Sequence, residues 1–180
     1  MGKIGVIHKA LQQVLSGDDL EFDQAMELAL LGESSPTELY NAADELRRKI
    51  HDVTLDLCSI VNAKSGRCSE DCKFCGQSSY YSAAVAGYDL VDSEKAVSLA
   101  KENEQHGVRR FSLVTAGRTV TDSHLDVISD IYQRLRQETQ LSLCASMGFL
   151  TKEKATKLKK MGVTRYHCNL EASKSFFPQV

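Results

Sequence analysis

No run of roughly 18 apolar residues occurs anywhere in this chain, so the usual signature of a membrane-crossing helix is missing. Nor is there a dense Lys/Arg block. With a formal charge of -2 and an estimated pI of 6.2, the chain carries no electrostatic footprint for nucleic acid or an anionic membrane. Lys157, Lys159 and Lys160 read as a solvated helix face. The amino terminus, Met1 to His8, lacks the apolar stretch of a secretion signal, which predicts a cytoplasmic protein. Low-complexity segments and internal sequence repeats are absent too, so disordered and array classes fall away. What is present is ordinary globular composition: 180 residues, 42% hydrophobic and 26% charged, enough to bury a core of roughly one domain.

Six cysteines remain to be explained, and they are unevenly placed. In a reducing compartment they read as thiols or metal ligands before disulfides. Three of them fall as Cys68-x3-Cys72-x2-Cys75, which gathers three thiolates on one short loop. That is enough to hold three corners of a 4Fe-4S cube and leave the fourth iron without a protein ligand. The competing reading is a structural zinc site with Cys58 as fourth ligand. Zinc loops usually pair two Cys-x2-Cys knuckles, whereas only one occurs here, and Cys58 lies in an apolar run where a small buried thiol is the commoner role.

Apolar residues recur at helical spacing from Ile4 to Leu15, before Gly17, and again from Glu21 to Leu31, before Gly32. Ser35-Pro36-Thr37-Glu38 supplies an N-cap, a proline at the first helical position and a capping glutamate, predicting a third helix to about Ile50. The pattern then changes. Val53–Val61 reads as a buried strand leading into the cysteine loop. A helix over Ser93–Gln105, a strand over Arg109–Thr115, a helix over Ser123–Glu138, a strand over Leu141–Met147, a helix over Lys152–Met161 and a strand over Thr164–Leu170 follow.

Four strands alternating with three helices predict right-handed crossovers and a parallel sheet. The expected fold is α/β: a partial (β/α) TIM-type barrel of about four parallel strands, preceded by N-terminal helices. Residues 1–50 form the expected helical segment and 51–180 the expected amino-terminal half of a barrel, with the chain truncated. Polar residues and glycines gather at or just past the strand ends, where parallel α/β folds build their sites.

Three stretches carry a family resemblance: Ser65-Gly66-Arg67-Cys68-Ser69-Glu70-Asp71-Cys72-Lys73-Phe74-Cys75-Gly76-Gln77-Ser78, then Cys144-Ala145-Ser146-Met147-Gly148, then Arg165-Tyr166-His167-Cys168-Asn169-Leu170-Glu171. Together they resemble the radical S-adenosylmethionine enzymes and, among them, the biotin synthase family. The resemblance implies a 4Fe-4S cluster on Cys68, Cys72 and Cys75 that binds S-adenosylmethionine at its open iron. It also implies a 5′-deoxyadenosyl radical that takes hydrogen atoms from dethiobiotin, with sulfur inserted from a second iron-sulfur cluster, 2Fe-2S or a variant. By the same resemblance Phe74 lies by the adenine, Asn169 contacts substrate or nucleoside, and Glu171 suits the ribose hydroxyls. Cys144 matches a ligand of the second cluster, with Arg110 near it and Arg118 as an alternative cation. No catalytic residue is assigned beyond the cluster.

Three departures from the family pattern stand out. Ser112 occupies a position where many members have another cysteine ligand of the second cluster, and a hydroxyl is a poor iron ligand beside thiolate. Cys168 stands where histidine is common, and Ala172 where threonine is common. The family's remaining second-cluster ligands, a cysteine and an arginine on later strands, fall beyond Val180. The expected partners are an electron-donor flavoprotein or ferredoxin and, at full length, a second copy in a homodimer; the piece alone is expected to be inactive. The alternatives are another radical enzyme of the same branch, of hydrogenase-cofactor or methylornithine maturation type, and a non-catalytic metal-stabilised remnant. His51, His106 and His124 are expected to be exposed, and Tyr80, Tyr81 and Tyr88 to pack the cysteine loop against the barrel.

Overall fold

A computed structural model describes residues 2–34, 36–51 and 54–180, together forming two compact units, Met1–Leu55 and Asp56–Val180. The first unit holds α1 (Lys3–Leu15), α2 (Phe22–Ser34) and α3 (Pro36–His51). Ile7, Ala10 and Leu11 of α1 are its buried side chains, since they repeat at helical spacing along one face. α2 runs through Gly32 to Ser34 instead of stopping there. Leu39 Cδ2, on the next helix, lies 3.1 Å from where a Cβ at Gly32 would stand, so the glycine serves close packing between α2 and α3. Pro36 opens α3 as expected, while the capping residue proposed before it, Ser35, lies outside the described residues.

The second unit alternates β1 (Cys58–Lys64), α4 (Ser93–Gln105), β2 (Arg110–Thr115), α5 (Asp122–Glu138), β3 (Ser142–Ser146), α6 (Lys152–Lys160) and β4 (Val163–Tyr166), then a 3-10 turn at Phe177–Gln179. All strand pairs are parallel, in the order β1-β2-β3-β4. Each helix begins on the same device. Asp92, Thr121 and Thr151 accept hydrogen bonds from the backbone N–H groups of Lys95, His124 and Lys154, satisfying donors that the first helical turn leaves free.

Alternation along the strands divides the sheet into two faces. Phe111, Leu113, Leu143, Ala145 and Met147 point to one face and meet Ala96, Val97, Ala100, Leu125, Ile128, Ile131, Leu135 and Leu158 from the helices; this is the core. Tyr132 is fully buried there and donates its hydroxyl to the Cys144 carbonyl at 2.7 Å. Burial pushes that phenol far above its usual range. The opposite face carries Cys58, Ile60, Arg110, Ser112, Cys144 and Arg165, which share register positions.

All four strands are shorter than expected, β2 and β3 by only an end residue or two, because a ladder is only as long as its partner; β1 starts later but runs on past Val61 to Lys64. β1 begins at Cys58 opposite Arg110, the first residue of β2, and Leu57 caps the ladder by accepting from the Arg109 and Arg110 amides at 3.1 and 3.3 Å. The expected start at Val53 lies outside the described residues. β4 ends at Tyr166 rather than Leu170; the His167 amide makes one more bond, to the Ala145 carbonyl at 2.8 Å, and the chain then turns away. No helix among the described residues is long and apolar enough to cross a membrane. Leu125, fully buried at the start of α5, gives the simplest test of the core: Leu125→Ala is expected to lower unfolding free energy by ~2–5 kcal/mol in chemical denaturation.

Candidate functional site

β1 delivers the chain into the cysteine loop through two residues in the left-handed region, Gly66 at φ 72° and Arg67 at φ 53°. For a non-glycine residue this conformation costs on the order of 1 kcal/mol, repaid by the surrounding bonds. The loop is closed across its base. The Cys68 amide donates to the Gln77 carbonyl at 2.9 Å, the Ser79 amide to the Cys68 carbonyl at 2.9 Å, and the Ser78 hydroxyl to the Glu70 carbonyl at 2.7 Å. Inside it, a turn runs from the Cys72 carbonyl to the Cys75 amide at 3.0 Å.

Cys68, Cys72 and Cys75 are half-buried free thiols. Burial pushes the Cys72 thiol up, and Cys75, Cys68 and Glu171 act on it in the same direction, so all four groups lie within electrostatic reach. No three His, Cys, Asp or Glu side chains among the described residues close around a single metal ion. A cubic cluster makes a different demand, since each cysteine binds its own iron corner and the thiolates need not converge on one point.

Around the loop, Phe74 is 59% exposed, and Asn169 and Glu171 are exposed past the end of β4. Glu171 itself sits in the left-handed region at φ 64°, the second strained non-glycine residue, and its carboxylate acts on Cys72. The Lys73 ammonium donates to the Gln179 carbonyl, fixing the end of the chain against the loop. Tyr80, Tyr81 and Tyr88 are exposed rather than packed, but Tyr81 donates its hydroxyl to the Asp71 carbonyl at 3.1 Å and Tyr88 to the Asn62 carbonyl at 2.6 Å. Tyr81 thus tethers the loop by its hydroxyl, and Tyr88 ties the segment after the loop to β1.

Arg118 reaches the loop as well. Its guanidinium donates to Glu70 at 3.0 Å and lies 5.3 Å from the Phe149 ring centre, so it is not the cation beside Cys144. The expected exposure of His124 also fails: its ring meets Asp89 at 3.2 Å and its side chain is 15% exposed. His51 and His106 are exposed as expected. The two strand-end loops interlock at Gly148, φ 74°, where a Cβ would overlap the Arg118 carbonyl.

A second sulfur-bearing surface lies on the sheet face away from the helices. Ile60, Ser112, Cys144 and Arg165 form one register row across all four strands, with Cys58 and Arg110 one step back along β1 and β2. Cys144 is fully buried, and burial pushes its thiol up, followed by the effect of Cys58, while Arg110 and Arg165 act oppositely. The Ser112 hydroxyl is buried with no hydrogen-bond partner. Cys58 is exposed, not the buried strand thiol expected, because its position in the alternation faces away from the helical core. Arg165 was not singled out by sequence, since only the β3–β4 pairing sets it opposite Cys144. Cys168 is exposed.

The second unit is thus a parallel α/β sheet with a loop of three free thiols after its first strand. The chain belongs to the radical SAM superfamily, whose family model matches residues 63–179. It is similar to the curated biotin synthase of Desulfotalea psychrophila, with 52% identity over 176 residues, covering 97% of this chain and 52% of that protein. The biotin synthase of Pelotomaculum thermopropionicum is 43% identical over 175 residues, covering 97% of this chain and 54% of that protein. The chain thus spans about half the length of these curated relatives.

Among solved structures it resembles methylornithine synthase, with a TM-score of 0.63 and 16% identity over 96% of this chain and 48% of that one. It also resembles HydG, a maturase of the FeFe-hydrogenase, with a TM-score of 0.60 and 15% identity over 91% of this chain and 36% of that one. The shared fold is a TIM-type barrel, of which the four strands here form part. Iron-sulfur and S-adenosylmethionine binding follow from the family. Cys72→Ala is expected to remove the iron that anaerobic reconstitution loads on the loop, leaving far-ultraviolet circular dichroism unchanged, because the loop contributes no helix.

Proposed function

We propose that this chain is the amino-terminal portion of a biotin synthase, inserting sulfur into dethiobiotin. The observation that carries the reading is the three-cysteine loop at the carboxyl end of β1 with Glu171 brought within electrostatic reach of it, in a chain 52% identical to a biotin synthase. Cys68, Cys72 and Cys75 would hold a 4Fe-4S cluster whose remaining iron binds the amino and carboxylate groups of S-adenosylmethionine. When bound, this pair supplies one-electron cleavage of the sulfonium and hydrogen-atom abstraction.

The chain's own residues do the positioning. Glu171, held by its left-handed backbone, would accept hydrogen bonds from the ribose hydroxyls, Phe74 would lie against the adenine, and Asn169 would contact nucleoside or substrate. Cys144 would ligate the second cluster. An electron-donor flavoprotein or ferredoxin, a cytoplasmic setting and a full-length homodimer complete the proposal, with the 180-residue chain inactive by itself. The alternative, a radical enzyme of the hydrogenase-cofactor or methylornithine type, rests on likeness of fold alone at 15% and 16% identity.

Equilibrium binding to the anaerobically reconstituted chain tests these roles. Glu171→Ala is expected to weaken S-adenosylmethionine binding roughly tenfold with cluster content unchanged, the loss of a hydrogen-bonded charged group; equal affinity removes Glu171 from the site. In a full-length form, saturable dethiobiotin binding that requires S-adenosylmethionine is expected. Binding of S-adenosylmethionine without any of dethiobiotin would contradict the substrate.

A further inference from the structure

The face of the sheet away from the helices presents two thiols, one on β1 and one on β3, with a serine between them on β2. Ser112 occupies the register position directly beside Cys144, and its hydroxyl, 2% exposed at the residue level, has no hydrogen-bond partner. A buried hydroxyl left unsatisfied costs on the order of 1–3 kcal/mol, so something outside the described atoms is expected to meet it. Cys144 is fully buried yet lies outside the helix-facing core cluster. Arg110 stands one step back along β2 and Arg165 occupies the register position beside Cys144 on β4, so two cationic residues share this face with it.

Cys58 completes the set. It points to the same face, opposite Arg110, and its thiol makes only a long 3.9 Å contact with the Ser59 carbonyl. Two strand spacings and a two-residue step separate its backbone from that of Cys144, roughly 11–12 Å by ordinary sheet dimensions. That separation is too long for a disulfide, which needs α-carbons within about 7 Å. It is also too long for both thiolates to reach one zinc ion, whose sulfur ligands stand about 2.3 Å from the metal. A group with several irons bridges such a gap.

We infer that Cys58 and Cys144 jointly ligate the second iron-sulfur cluster, with Cys58 supplying the thiolate that Ser112 cannot. This rests on the sulfur-inserting reading for the identity of the group. Ser112 becomes a hydrogen-bond donor to the cluster's sulfur, which satisfies its buried hydroxyl, and Arg110 and Arg165 offset the negative charge of the thiolates. Arg110 is itself held by Asp56 at 3.0 Å.

Site-resolved thiol alkylation of the unmutated protein at full length, read by mass spectrometry before and after anaerobic loading with iron and sulfide, tests the inference without requiring a variant to fold. Cys168, which is exposed, serves as the internal reference. Cys58 is expected to alkylate readily before loading and to slow by roughly an order of magnitude afterwards, as a ligated thiolate loses its nucleophilicity, while Cys168 is unchanged. Cys144→Ala should return Cys58 to the Cys168 rate; a Cys58 shielded for unrelated reasons would ignore that change. Cys58 reacting as fast as Cys168 in the iron-loaded chain overturns the inference. Protection of Cys58 with Cys68, Cys72 and Cys75 still reactive would instead break the reading of the loop and uphold this one.

Discussion

Parallel pairing of four strands in nearly common register is the constraint on which the rest of the second unit depends. It ends every strand at the same side of the sheet, so the loops after β1, β2 and β3 meet there, and the Arg118 to Glu70 and Thr119 to Phe149 contacts follow from that meeting. The same pairing forces period-two alternation. One face carries the apolar side chains that α4, α5 and α6 cover, and whatever chemistry the strands hold must sit on the other. Removing side chains from the first face costs stability, because it leaves cavities in the core.

Two sulfur sites result, built by different means. The loop site is local: a short stretch folds on its own carbonyls, tethered by the Tyr81 hydroxyl and entered through the strained Arg67. Its thiols are half-buried. The strand-face site is non-local, drawn from β1, β2, β3 and β4, and its central residues are buried. Strained backbone marks the first and an unsatisfied hydroxyl marks the second, and both features cost free energy that a bound group would offset.

The helices of the second unit were legible in sequence because their ends are local signals. Asp92, Thr121 and Thr151 cap the starts, and Gly107 and Gly162 follow the ends. The parallel alternation was legible for the same reason, as was the cysteine spacing. Strand limits were not, since β1 and β4 stop where their partners stop. Nor was the outward side of Cys58, because an apolar run hides which half of its alternation faces helices. Arg165 became visible only through its pairing with Cys144, and Glu171's approach to the loop only through the turn beyond β4.

The central claim is that the loop after β1 carries a cluster with an iron open to S-adenosylmethionine. Electron paramagnetic resonance of the anaerobically reconstituted, dithionite-reduced chain, recorded with and without S-adenosylmethionine, tests it most directly. The account predicts a 4Fe-4S signal whose g-values move when S-adenosylmethionine is added. Zinc retained in place of iron, or a cluster signal indifferent to S-adenosylmethionine, would contradict it.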